Sequence, residues 1–195
     1  MPNSSLINLS KTNRRIRWAS LFIAFLVASF LVGVLQASEP FPRLEGEDFL
    51  GAAKVLPDAV KGHPALLIVS FSRKAKAQTT EWGKQLTARR LCTSGFTFLH
   101  VPVLEDVPRL FRGMVKGSMK KGIPQDVQQY FVLLFQGEEK LKQLTGYQKD
   151  DEAYLLLLDA SGNIQWRDHG IVNDEKISRL SEQLQKLELV PSKKN

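Results

Sequence analysis

The stretch 153–170, AYLLLLDASGNIQWRDHG, constrains the fold more than any other part of the chain. Its apolar run from Ala153 to Leu158 is short for a core helix. Bounded by Asp159 and the Ser161-Gly162 pair, it reads as a buried strand. Asn163 to Asp168 then alternates, so the two segments form a hairpin around the turn Ala160–Gly162. Alternation places Ile164 and Trp166 on one face and Gln165 and Arg167 on the other. On this pattern Trp166 is a core residue, and Arg167 either pairs with Asp159 or Asp168 or presents a contact to a partner.

The remaining pattern supplies elements to pair with and cover this hairpin. Ala65 to Phe71 (ALLIVSF) is an apolar strand, and Lys76 to Leu91 reads as a helix through Trp82, Leu86, Ala88 and Leu91, with Gly83 counting against it. Phe96 to Val103 (FTFLHVPV) is a second strand ending near Pro102. Pro108 to Lys121 is a helix, Phe131 to Phe135 a third strand, and Gly137 to Leu144 a short amphipathic helix. A last helix starts at Asp174, capped by Asn173 or Asp174, with Ile177, Leu180, Leu184 and Leu187 on its apolar side. Glu39 to Gly62 carries three prolines and three glycines; it reads as a linker anchored by Leu44, Phe49, Leu56 and Val60. The sum is an α/β sandwich with a central mixed sheet flanked by helices.

In front of this domain, Trp18 to Ala37 is uncharged over twenty residues, enough for a helix to cross a bilayer. Lys11, Arg14, Arg15 and Arg17 precede it, and no acidic residue occurs before Glu39, a bias that keeps the N-terminus cytoplasmic and exports the rest. The organisation expected is a basic N-terminus at 1–17, a signal anchor at 18–37, a linker and entry segment at 38–62, the folded domain at 63–190 and a polar tail at 191–195. The spanning length favours the anchor, in a single-pass inner-membrane protein with its domain on the periplasmic side. The alternatives are a signal peptide cleaved near Ala37, which would release the domain as a secreted protein, and an organelle transit peptide. Four of the 27 basic residues and none of the 20 acidic ones precede Ser38, so the rest of the chain is only +3, too mild for nucleic-acid binding. A single cysteine, Cys92, excludes an internal disulfide.

The order of elements resembles the thioredoxin-like fold. In thioredoxin-type oxidoreductases paired cysteines follow the first strand; five and eight residues after Phe71 this chain carries Lys76 and Thr79. Such proteins also place a cis-proline before the strand facing the active site, and Asp151-Glu152-Ala153 has no proline. From about Phe96 to Leu187 the chain resembles the ATP-synthase assembly factors of the mitochondrial inner membrane and their bacterial relatives. The resemblance is carried by Gly122-Ile123-Pro124, Tyr130-Phe131, the strand 153–159, then Ile164, Trp166, Arg167 and Gly170, with Gln165 in place of the family's first arginine. It implies an assembly role toward membrane subunits of ATP synthase, with no catalytic act.

Several residues carry candidate chemistry. Arg109, Arg112, Lys116 and Lys120 follow a helical spacing that would align four cations on one face, with Leu110, Phe111, Met114, Val115 and Met119 on the other sides. Such a face suits an anionic lipid surface or an acidic protein partner; the plain alternative is a solvated helix face. Arg73, Lys74 and Lys76 sit at a helix start, where cations oppose the macrodipole. Cys92, after the far end of that helix, reads as an inert small hydrophobe, with a one-cysteine thiol peroxidase or reductase as the enzymatic alternative. His63, His100 and His169 are too scattered for a metal site, and no cofactor motif is present. The function expected is a membrane-tethered, redox-inactive binding or assembly factor, with Arg167 and the basic stripe as its candidate contacts.

Overall fold

The structure is a computed structural model and describes residues 39–91 and 95–189. The leader at 1–37, Cys92 and the tail at 191–195 lie outside the described residues. In chain order the elements are β1 (Glu39–Pro40), β2 (Leu44–Glu47), β3 (Ala53–Leu56), β4 (Ala65–Ser70), α1 (Lys76–Ala88), β5 (Thr97–Pro102), α2 (Arg112–Lys121), β6 (Leu133–Leu134), α3 (Glu138–Thr145), β7 (Tyr154–Leu158), β8 (Asn163–His169) and α4 (Asp174–Leu189).

Five strands form the main sheet in the order β1-β8-β7-β4-β5. β4 and β5 run parallel and are joined by a crossover through α1, whereas β7 is antiparallel to β4 and forms the expected hairpin with β8. Because β4 and β7 lie inside the sheet, their side chains are buried on both faces, which is why ALLIV and YLLLL are continuous apolar runs. On one face Leu67, Val69, Tyr154 and Leu156 pack with Leu141 and Leu144 of α3 and with Leu44 and Leu56 of the small strands. On the other, Leu66, Ile68, Leu155 and Leu157 pack with Trp82 and Leu86 of α1 and with Ile177, Leu180 and Leu184 of α4.

The last helix begins as its sequence directs. The Asn173 side chain accepts the Lys176 amide at 2.9 Å and so caps α4, with Asp174 and Glu175 in the first turn. Trp82 is fully buried and its indole N–H donates to the Gly170 carbonyl at 2.9 Å, tying α1 to the end of β8. Gly83 leaves room for a ring on the neighbouring strand. A β-carbon there would lie 2.9 Å from His100 Nε2, so a side chain on Gly83 would force the His100 ring to shift.

Three expectations are corrected. The segment 39–62 is more than a linker: β2 and β3 form a hairpin, β2 also pairs with β6, and β1 adds a rung to β8. The buried Asp48 carboxylate, accepting the Leu50 and Ala52 amides, organises the hairpin turn, so the glycines mark turns between short strands. Its four anchors, Leu44, Phe49, Leu56 and Val60, are all buried. The third apolar strand contracts to Leu133–Leu134 and joins β2 and β3 in a separate three-stranded sheet, with isolated bridges from Phe131 to His100 of β5 and from Leu134 to Val103 just past it.

The third correction concerns β8. Leu157 pairs with Trp166 but Leu158 pairs with Ile164, so Gln165 is an extra residue in a β-bulge. The bulge breaks the alternation. Ile164 enters the core on the α3 face, while Trp166, half-buried, packs on the α1 and α4 face.

Candidate functional site

Lys76 and Thr79, the two positions expected where paired cysteines would stand, lie at the start of α1. Ser72 Oγ accepts the Lys74 amide at 3.1 Å and opens a short 3-10 turn, Arg73–Ala75, that runs into Lys76, the first residue of α1. No acidic residue occupies the first turn of α1, and no side chain caps it. Lys76 is exposed; Thr79, half-buried, donates its hydroxyl to the Lys76 carbonyl at 3.1 Å. Arg73, Lys74, Lys76 and Lys84 line a shallow depression of about 610 Å³, with Glu81 the acidic residue of its lining. Lys74 pairs with Asp150 at 2.9 Å, and that hydrogen bond raises its pKa above the usual lysine value. The start of α1 therefore offers ammonium groups and a bonded hydroxyl, and no thiol pair to exchange.

The loop before β7 closes this end of the sheet. Gln78, between Lys76 and Thr79, accepts the Ala153 amide through its side chain at 3.1 Å, so the first turn of α1 is bonded to the residue before β7. Glu152 meets His169 Nδ1 at 2.8 Å, and the His169 ring stacks on Tyr154 with centroids 5.9 Å apart. The Tyr154 hydroxyl accepts the Gln148 and Lys149 amides and donates to the Lys149 carbonyl. Sequence reasoning missed Gln78, Glu152 and His169, because what joins them is the meeting of α1, β7 and β8. Among the described residues the one cis peptide is Leu56–Pro57, against the β7–β8 turn at the opposite end of the sheet.

The basic stripe of α2 is turned inward. Lys116 pairs with Glu47 of β2 at 2.8 Å; Arg112 stacks over the Phe135 ring at 4.6 Å and donates to the Val107 carbonyl at 3.3 Å. Arg109 and Arg112 line a groove that Glu45 and Glu47 also line, so three of the four cations face an acidic strand. Lys120 is half-buried. The outward side is apolar: Leu110 is 86% exposed, Met114 69% and Phe111 47%, and α2 buries none of its residues. Periodicity located both stripes; which of them faces the domain depends on Glu45, Glu47 and Phe135, which the helix meets only after folding.

Arg167 takes neither carboxylate expected for it. Its guanidinium pairs with Glu39 of β1, and its Nε donates to the Leu144 carbonyl at 2.8 Å, capping the end of α3. Asp168 instead faces Lys176 and Arg179 of α4, and Asp159 accepts the Ser161 and Asn163 amides of the hairpin turn. His100 is packed between α1 and Phe131: its ring stacks on Phe131 with centroids 4.6 Å apart and meets Phe98 edge-on. Desolvation pushes its pKa down to about 4, so it is a neutral packing residue at physiological pH.

No protein-family model and no curated protein sequence matches the chain. The resemblance to ATP-synthase assembly factors therefore has no counterpart in those comparisons. Solved structures do match. The chain is similar to a surface-exposed lipoprotein thioredoxin of Streptococcus pneumoniae at a TM-score of 0.53 and 15% identity, over 73% of this chain and 100% of the other. It is similar to BsSco, a member of the Sco family of cytochrome c oxidase assembly proteins, at a TM-score of 0.51 and 14% identity, over 76% and 95% of the two chains. The C-terminal domain of a thiol-disulfide oxidoreductase from Bacteroides thetaiotaomicron matches at a TM-score of 0.54 and 16% identity, over 76% and 96%. At these identities the likeness is one of fold: the described domain is thioredoxin-like.

Proposed function

We propose that this chain is a membrane-held thioredoxin-like domain that works by binding, as an assembly factor for a membrane protein complex. The observation that carries the reading is the start of α1. Lys76 and Thr79 stand where a dithiol would stand, and the first turn is bonded through Gln78 to Ala153, so the frame is kept while the exchange chemistry is gone. The tether is the uncharged run 18–37. The basic residues ahead of it support a domain on the non-cytoplasmic side of the inner membrane. The fold is one that a family of cytochrome c oxidase assembly proteins also uses, which gives the role a precedent at the level of architecture. ATP-synthase membrane subunits are the client proposed, on the sequence likeness over 96–187.

The test is capture of the C-terminally tagged full chain in mild detergent after cross-linking in cells, with mass spectrometry of what accompanies it. A control carries the same leader fused to an unrelated domain. Enrichment of ATP-synthase membrane subunits over the control is the expected result, unchanged by Cys92→Ser. Capture of another membrane complex would move the client and keep the role. No enrichment over the control, or its loss on Cys92→Ser, would overturn the binding reading.

A further inference from the structure

We infer that the outer face of α2 docks on an anionic bilayer surface. The inference rests on the membrane-held reading above and adds a second point of attachment. Leu110, Phe111 and Met114 leave the turn before α2 and its first turn on the side away from the domain, with Gly113, Gly117 and Ser118 exposed around them. An unpartnered side of this kind on a helix that buries nothing contributes nothing to the core. Its three large side chains stand in water instead.

Charge decides what covers them. From Val107 to Gln125 the chain has five basic residues, Arg109, Arg112, Lys116, Lys120 and Lys121, and no acidic one. Glu47 answers Lys116 on the inner side, where Arg109 lines the same groove, whereas Lys121 is exposed at the C-terminal end of the apolar face. The positive surface continues past α2. A β-carbon on Gly122 would lie 3.5 Å from Lys76 Nζ, so the depression holding Arg73, Lys76 and Lys84 adjoins the C-terminal end of α2. Apolar side chains framed by long cationic ones, which reach outward while their stems stay apolar, fit the boundary between acyl chains and anionic headgroups. Three such residues would hold a free domain weakly. A domain already tethered by 18–37 meets the bilayer at a high effective concentration, and weak insertion then suffices.

The experiment uses the full chain reconstituted in vesicles of neutral phosphatidylcholine, or of phosphatidylcholine with about 30 mol% phosphatidylglycerol. Flotation of the vesicles reports the tether. Amide hydrogen exchange over 109–121 reports the docking. Flotation with both vesicles is expected. Exchange over 109–121 should be about tenfold slower in the anionic ones, the difference shrinking at about 0.5 M salt. The double variant Leu110→Ser with Met114→Ser should remove the protection while still floating. Ile171→Ser, exposed on the β8–α4 connection, should leave it intact. Flotation with equal exchange in both vesicles would overturn the docking and leave the tether standing. Flotation only with anionic vesicles, with 109–121 protected, would overturn the tether and uphold the docking. Protection that needs an added membrane-protein fraction, absent with lipid alone, would overturn the lipid assignment and give the face to a protein.

Discussion

His100 shows how much a single position can carry without being catalytic. Its ring fills the space that Gly83 leaves and stacks on Phe131, and burial lowers its pKa from 6.5 to about 4. The unfolded chain therefore takes up a proton at a pH where the folded one does not. The stability that the neutral ring brings is present above pH 6.5, falls as the pH drops from 6.5 toward about 4, and levels below that. The full span is about 3 kcal/mol. Urea midpoints at about pH 7.5 and 4.5 check it: His100→Leu should lose less stability on acidification than the parent by roughly that amount. Parallel pH dependences would remove His100 as the sensitive group. The sequence marked Gly83 as a weakness of its helix. That reading missed that a glycine in a helix can be favoured by a ring on a neighbouring strand.

At the scale of elements, what was legible followed from how local its cause is. The apolar runs of β4 and β7, the hairpin turn held by Asp159 and the Asn173 cap of α4 are written in neighbouring residues, and all were read. The small sheet was not read, because β2 is paired with β6 across some 90 residues, and two-residue strands carry no period. The bulge at Gln165 was invisible for a different reason: NIQWRD alternates acceptably with it or without it. The structure predicts that the two deletions differ. Removing Gln165 leaves Ile164 opposite Leu158 and Trp166 opposite Leu157, now in a regular ladder, at a cost of about 1–2 kcal/mol for its hydrogen bond to Asp159. Removing Arg167 brings Asp168 opposite Leu156, on the face that packs α3, and should cost several kcal/mol, about 4 or more. Thermal melts of the two deletion variants decide it; equal losses would mean that the bulge relocates freely.

At the scale of the molecule, two positions were legible by counting along the chain and the facing of a helix was not. Lys76 and Thr79 could be located by counting from Phe71, and the structure puts them on the first turn of α1, one helical turn apart. Residues so spaced in a helix start are within disulfide reach. In a Cys92→Ser background, Lys76→Cys with Thr79→Cys should close a disulfide under oxidised glutathione, with a mass loss of about 2 Da and no added glutathione. Stable mixed disulfides at both positions would show that this helix start no longer has the geometry of a dithiol site. The orientation of α2 lay beyond the sequence, since its cationic side is selected by Glu47 and Phe135 on distant strands. The arrangement at β1 has a mechanical consequence. Glu39 enters the fold through two rungs on β8 and the Arg167 guanidinium, whose other arm holds the Leu144 carbonyl at the end of α3, and Phe41 follows directly into the core. Tension from whatever holds the chain upstream of residue 39 thus loads the sheet edge and the last turn of α3 first, leaving the start of α1 and the outer side of α2 slack.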